Sequence, residues 1–170
     1  GHLGDANMGG DFGPELRYTG LSHLIVTGQS KDPVFLWIRD GEIQIRDARH
    51  LTGLDTVETQ KAIRQELNDK KVQVACIGEA GENLVRFAGV RTGLKSIAAR
   101  TGLGAVMGSK KLKAIAVRGT QDFRVKDPPG LLRYYKEMVK ALMERKWIQA
   151  LGRHGTPLMI AAGNSLGFLA

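Results

Sequence analysis

Asp40-Gly41, set between the β-branched and aromatic runs 34–39 and 42–46, constrains the fold more than any other pair of residues in the chain. A two-residue type I′ turn needs positive φ at both central positions. Asp tolerates that and Gly adopts it freely, so the flanking runs are predicted to pair as antiparallel strands. A third run, 23–27, has the same character and is expected to join them. Phe35 and Trp37 fall on one strand face, which marks that face as core. Residues 72–77, 84–90 and 113–118 also read as strands. Asp55, with Glu58 three residues on, reads as the N-cap and reciprocal partner of a helix that reaches Leu67 and covers a sheet face. The pattern is α+β.

Between the last two strands lies Ala98-Ala99-Arg100-Thr101-Gly102-Leu103-Gly104-Ala105-Val106-Met107-Gly108-Ser109-Lys110-Lys111. Gly102, Gly104 and Gly108 leave the backbone bare, while Arg100, Lys110 and Lys111 bring positive charge. Residues 100–104 read as a loop that opens into a short helix whose first N–H groups would face an anion such as phosphate. The spacing matches neither a P-loop nor a Rossmann fingerprint. Three residues separate Gly104 from Gly108, Ser109 precedes Lys110, and the last glycine gap is too long. The same glycines equally suit a turn that lets a helix pack closely on a sheet. A second glycine segment precedes all the strands: Gly4, Gly9, Gly10 and Gly13 surround Asp5, Asn7 and Asp11. Pro14 then opens a short helix through Tyr18, closed by Gly20. This segment reads as a ligand loop or as a surface turn. It lacks the downstream Glu of a calcium loop.

Composition narrows the chemistry. The formal charge of +8 fits an acidic ligand, and a basic module gripping nucleic acid through the Gly/Lys loop is the rival from another class. The Lys and Arg residues are nevertheless spread along the chain, with few aromatics among them. One cysteine, Cys76, excludes an internal disulfide or a cysteine-only metal site within these residues, and its apolar surroundings at 72–77 predict a buried thiol. His2, His23, His50 and His154 show no ligand spacing, and there is no Gly-x-Ser-x-Gly elbow. Glu79 and Glu82, within the glycine-flanked stretch 78–83, read as a charged surface turn. No apolar run is long enough for a membrane span, and both ends of the sequence read as cut. At Asp127-Pro128-Pro129-Gly130 the pattern changes. Leu131, Leu132, Tyr135, Met138, Val139 and Leu142 then line one helical face. That helix is expected to end at Gly152, and Thr156-Pro157 to open another through 162. The organisation expected is an α+β domain over 1–126 and the start of an all-helical domain over 127–170.

Asn7-Met8-Gly9-Gly10-Asp11-Phe12-Gly13-Pro14-Glu15-Leu16, Glu42-Ile43-Gln44-Ile45-Arg46-Asp47-Ala48, Gly81-Glu82-Asn83-Leu84-Val85 and Gly102-Leu103-Gly104-Ala105-Val106-Met107-Gly108-Ser109-Lys110 together resemble the N-terminal domain of the tungsten-containing aldehyde ferredoxin oxidoreductase family. The resemblance runs from about residue 3 to residue 120. It implies an α+β base of two intertwined repeats carrying a tungsten bis-pterin cofactor. Asn7 and Gly9, with Ser96, Ile97, Ala99 and Arg100, would contact the pterins and their phosphates, and the carbonyls of Asn7 and Ile97 would help hold a bridging Mg2+. No catalytic acid, base or nucleophile is expected here. A [4Fe-4S] cluster, the substrate pocket and a further pterin-binding arginine would lie outside this chain.

The same resemblance implies a cytoplasmic enzyme that oxidises a small aldehyde and passes electrons to ferredoxin or an electron-transfer subunit. It would act as a homo-oligomer or complex, without nucleic acid or membrane. The tungsten subunit of a benzoyl-CoA reductase-like or other non-aldehyde oxidoreductase is the alternative. The family commonly carries His-Arg-Ala-Ala-Gly-Arg-Gly-Gly where this chain has Lys95-Ser96-Ile97-Ala98-Ala99-Arg100-Thr101-Gly102. One arginine charge is therefore missing, with Lys95 its candidate replacement, and Ala99 stands where a glycine is expected to take positive φ. Residues 1–170 alone are expected to aggregate, or to associate with the missing segments.

Overall fold

A computed structural model of the chain describes residues 3–122 and 125–168, so His2 lies outside the described residues. It divides into two compact units, one up to residue 123 and one from 124 onward.

The first unit is built on one mixed six-stranded sheet with strand order β2-β1-β6-β3-β4-β5. The strands are β1 (Val34–Arg39), β2 (Glu42–Asp47), β3 (Gln73–Cys76), β4 (Val90–Thr92), β5 (Ser96–Ala98) and β6 (Leu112–Arg118). β1 and β2 form the expected hairpin in register from Val34↔Asp47 to Arg39↔Glu42. Its turn residues have the required positive φ, 47° at Asp40 and 91° at Gly41. β1 also pairs in parallel with β6, and this double pairing buries Phe35, Leu36, Trp37 and Ile38.

One sheet face carries Phe35, Trp37, Val74, Cys76, Ala114 and Ala116, closed by Ile63 of α2 (Thr56–Glu66). Full burial of a side chain the size of Phe35 contributes about 2–3 kcal/mol. The α2 N-terminus is the predicted capping box: Asp55 Oδ1 accepts from Val57 N (2.6 Å) and Glu58 N (2.8 Å), and Glu58 Oε2 accepts from Asp55 N (3.3 Å). The opposite face carries Ala75, Ile77, Val90 and Ala98. It is covered by Ala6, Met8, Phe12 of α1 (Phe12–Tyr18), and Leu103 and Met107 of α4 (Leu103–Ser109).

Four local expectations are corrected. Residues 23–27 form no strand, because β1 is already paired on both sides and their β-branched composition finds no ladder. The run 84–90 yields a strand only from Val90. Before it the chain turns through Leu84 at φ 57°, with Val85 N bonded back to Ala80 O at 2.9 Å. The supposed surface turn at 78–83 is the short helix α3 (Glu79–Glu82), and β5 is a strand the sequence did not announce. α1 begins at Phe12, two residues before Pro14.

In the second unit α5 (Pro128–Met143) is capped by Asp127, whose Oδ1 accepts from Gly130 N at 3.0 Å. It ends at Met143 rather than at Gly152, which lies inside α6 (Lys146–His154); that helix stops at Gly155, φ 66°. A 3-10 turn at Thr156–Leu158 leads into α7 (Met159–Ser165). No helix among the described residues is long and apolar enough to cross a membrane.

Candidate functional site

The first glycine segment and the loop after β5 lie side by side at the β5 edge of the sheet. Residues 5–9 alternate in burial. Ala6 and Met8 turn into the core beside Ala98 and Val90, which leaves Asp5, Asn7 and Gly9 exposed. Across from them, Ala98 of β5 is buried and Ser96 is half-buried on the same face. Thr101 Oγ1 donates to Asp5 O at 3.4 Å, and a Cβ on Gly9 would stand 3.5 Å from Ser96 Oγ. The two segments enclose a cleft of about 450 Å³ lined by Asn7, Ile97, Ala99 and Arg100 together with Asp5 and Thr101. Ser96 lines an adjoining cleft of about 400 Å³, and Gly9 stands between the two. The six residues singled out in the sequence are thus gathered at one edge.

Ile97 faces away from this edge: its Cδ1 would meet a Cβ on Gly89 at 2.9 Å on the other sheet face. What it offers the cleft is main chain. Among the described residues neither Arg100 nor Lys95 is ion-paired, so both charges are available to a ligand. No group of three or more His, Cys, Asp or Glu side chains gathers for a metal among the described residues.

The helix after the loop works differently from the sequence expectation. α4 does not present its first amides to an anion, because Gly104 N donates to Ala88 O at 2.9 Å. Its glycines serve close packing. A Cβ on Gly104 would lie 2.6 Å from Gly89 O, and one on Gly108 would overlap the Gly81 carbonyl. Lys110 and Lys111 point elsewhere, donating to Gly28 O and Lys31 O. The left-handed residue of the loop is also not Ala99 but Thr101 at φ 60°, followed by Gly102 at 68°. A β-branched residue held in that region is strained, and such strain gathers where a loop geometry is over-determined.

The sequence reading missed an ion pair with a buried lysine elsewhere in the same sheet. β6 carries a bulge: Val34 pairs with Leu112 and Phe35 with Ala114, which leaves Lys113 as the extra residue. Its side chain is only 2% exposed, and Nζ donates to Leu54 O (2.8 Å) and to Glu82 Oε1. Glu82 Oε2 accepts from Gly53 N at 3.0 Å, so one pair ties β6, α3 and the 53–54 loop together. A lysine within the otherwise apolar run 112–117 was the signal. Cys76 is buried as expected, and burial pushes its thiol up to about 12. It is therefore inert as a nucleophile at neutral pH.

Fold and site together define a small α+β domain that presents two adjoining clefts at one sheet edge. Residues 1–119 match the family described as aldehyde ferredoxin oxidoreductase, N-terminal domain. The chain is 40% identical over 168 residues to the tungsten-containing aldehyde ferredoxin oxidoreductase of Thermococcus kodakarensis, covering 98% of this chain and 28% of that protein. Identity to the enzyme of the same name from Pyrococcus abyssi is 41% with the same coverage. Among solved structures, the active-site complex BamBC of benzoyl coenzyme A reductase with 1,5-dienoyl-CoA is similar at TM-score 0.77 and 44% identity, covering 82% of this chain and 22% of that one. The chain belongs to the aldehyde ferredoxin oxidoreductase family, and it spans just over a quarter of the length of the curated relatives it matches.

Proposed function

We propose that this chain is the cofactor-binding base of a tungsten-pterin oxidoreductase, with the pterin phosphates seated where the Asn7 segment meets the Arg100 loop. The observation that carries the reading is that meeting: two segments far apart in sequence line one cleft with bare backbone and a guanidinium that has no ion-pair partner among the described residues. The clefts fit a phosphate that arrives with a cation, because Asp5 and Asp11 balance Arg100 and Lys95 in formal charge. Asn7 and Ile97 would contribute carbonyls to a Mg2+ ion. Gly9 would let the backbone approach, and Arg100 would hold a phosphate oxygen.

When bound, the tungsten-pterin would supply the redox chemistry by which an aldehyde and water give a carboxylate, three protons and two electrons, the electrons being destined for ferredoxin by way of a [4Fe-4S] cluster held elsewhere in the polypeptide. This chain's residues bind and orient. The setting is a cytoplasmic enzyme or enzyme complex. The 44% identity to the benzoyl coenzyme A reductase complex favours a second reading, in which the same base serves reduction of an aromatic thioester.

Metal and pterin analysis of the complete polypeptide tests the shared part. About one tungsten and two pterins per chain are expected in wild type, with strong loss in Arg100→Ala; a metal-free, pterin-free protein would refute it. Dye reduction driven by an aldehyde, against dye reduction driven by a cyclic dienoyl-CoA, separates the two readings. Oligonucleotide binding that weakens steeply with salt, in a metal-free protein, would instead point to the nucleic-acid rival.

A further inference from the structure

Residues 6–10, the middle of the first glycine segment, make no hydrogen bond among the described residues. Ala6 and Met8 hold the segment to the sheet through apolar contact, an attraction without direction that does not fix where the backbone stops. Its placement is therefore set at its two ends. At the front, Thr101 Oγ1 donates to Asp5 O. At the back the chain enters α1 with no residue between, and Glu15 N donates to Asp11 O at 3.0 Å.

α1 is in turn anchored through Glu15, whose Oε1 accepts from Arg118 Nη1 at 2.8 Å and from Gly119 N at 2.9 Å, at the C-terminal end of β6. The two side chains are only 15% and 21% exposed, so water weakens this charged contact little. Arg118 is aimed from its other side as well: Nε donates to Asp69 Oδ2 at 3.1 Å, and Nη1 also donates to Gly119 O at 2.7 Å. Gly119 permits the close approach, because a Cβ there would overlap the Tyr18 carbonyl carbon, and Gln121 N donates to Tyr18 O at 3.0 Å. The anchor is a central strand, with β1 on one side and β3 on the other. Glu15 lies in the stretch 7–16 that carries the resemblance, yet it lines neither cleft.

We propose that Glu15 is a positioning residue for the cofactor cleft: held by Arg118 and the Gly119 amide, it fixes α1 on β6 and so sets where residues 5–9 stand against the Arg100 loop. The inference rests on the cofactor reading above. Glu15 touches no ligand and acts through the backbone of α1.

The test uses the complete polypeptide. Hydrogen exchange over residues 12–21 of the cofactor-free protein reads the docking of α1, and pterin per chain in the protein as isolated reads the placement of residues 5–9. Glu15→Ala is expected to speed exchange over 12–21 about tenfold and to lower pterin about fivefold. Glu15→Gln keeps an oxygen acceptor for both donors while Asp69 keeps a carboxylate on Arg118, so both readouts should stay within about twofold of wild type. Asp55→Ala, which weakens the cap of α2, controls for lost stability and should keep its pterin. Exchange over 12–21 unchanged in Glu15→Ala, pterin unchanged while that exchange rises, a Gln variant that behaves like the Ala variant, or equal pterin loss in Asp55→Ala each overturns the proposal. Wild type lacking pterin overturns the proposed function; faster exchange in Glu15→Ala, restored in Glu15→Gln, then still upholds the clamp on α1, and unchanged exchange overturns it.

Discussion

Thr101 stands directly over Gly4: a Cβ on Gly4 would lie 2.7 Å from the Thr101 Cβ. With the Thr101 hydroxyl on Asp5 O, this contact holds the first segment against the loop that carries Arg100. Gly4→Val should force the two apart. Gly4 is exposed, so the complete polypeptide should keep its circular dichroism spectrum and melt within a few degrees of wild type, while pterin retention falls about tenfold. Unchanged pterin content would show that the two segments bind independently.

The strain at Thr101 makes a second prediction. A left-handed backbone at a β-branched residue costs about 1–2 kcal/mol, and Gly relieves it. Thr101→Gly relieves the strain but loses the hydroxyl contacts and should leave the unfolding free energy nearly unchanged, whereas Thr101→Val keeps the strain, loses the same contacts and should lower it. Chemical denaturation of both variants decides the matter, and a Gly variant less stable than the Val variant would contradict the assignment of strain.

Much of the sheet was legible because its signals are local. The Asp40-Gly41 turn, the Asp55/Glu58 cap and the apolar runs of β1, β3 and β6 each need only neighbouring residues to be understood. The stretch 84–98 was misread because its structure is decided at a distance. The turn at Leu84 exists to seat α3 under α4, and three-residue β4 and β5 are too short to show a period. The glycines of α4 were visible, but not their purpose, since the Ala88, Gly89 and Gly81 carbonyls they accommodate come from another part of the chain. The residues singled out through the resemblance lie together at one edge, a proximity that their spacing in the sequence did not announce.

The Lys113–Glu82 pair predicts asymmetric mutational costs. Lys113→Met leaves the half-buried Glu82 carboxylate without its cation and frees the Leu54 carbonyl, a loss of about 1–3 kcal/mol. Lys113→Met combined with Glu82→Met removes both charges and should recover much of that loss. Equal destabilisation by single and double variants, measured by denaturant titration, would mean that the pair is not coupled.

Acid sensitivity follows from Asp55. The backbone N–H of Glu58, then that of Val57, hold its carboxyl below the usual range. A depressed carboxylate pKa contributes stability that is complete above the unfolded value and is lost as pH falls through the folded one. Asp55→Ala should therefore lower the melting temperature by a few degrees at pH 7, with the gap to wild type narrowing below about pH 4. A gap that stays constant down to pH 2 would assign the loss to something other than the charged cap.

The most direct measurement is the position of the cofactor in a crystal structure of the complete polypeptide purified anaerobically with its metal. Pterin phosphate density between residues 5–10 and 96–101, with Arg100 on a phosphate oxygen, is the expected result. Density lying elsewhere, or those two segments closed on each other with no room between them, would contradict it.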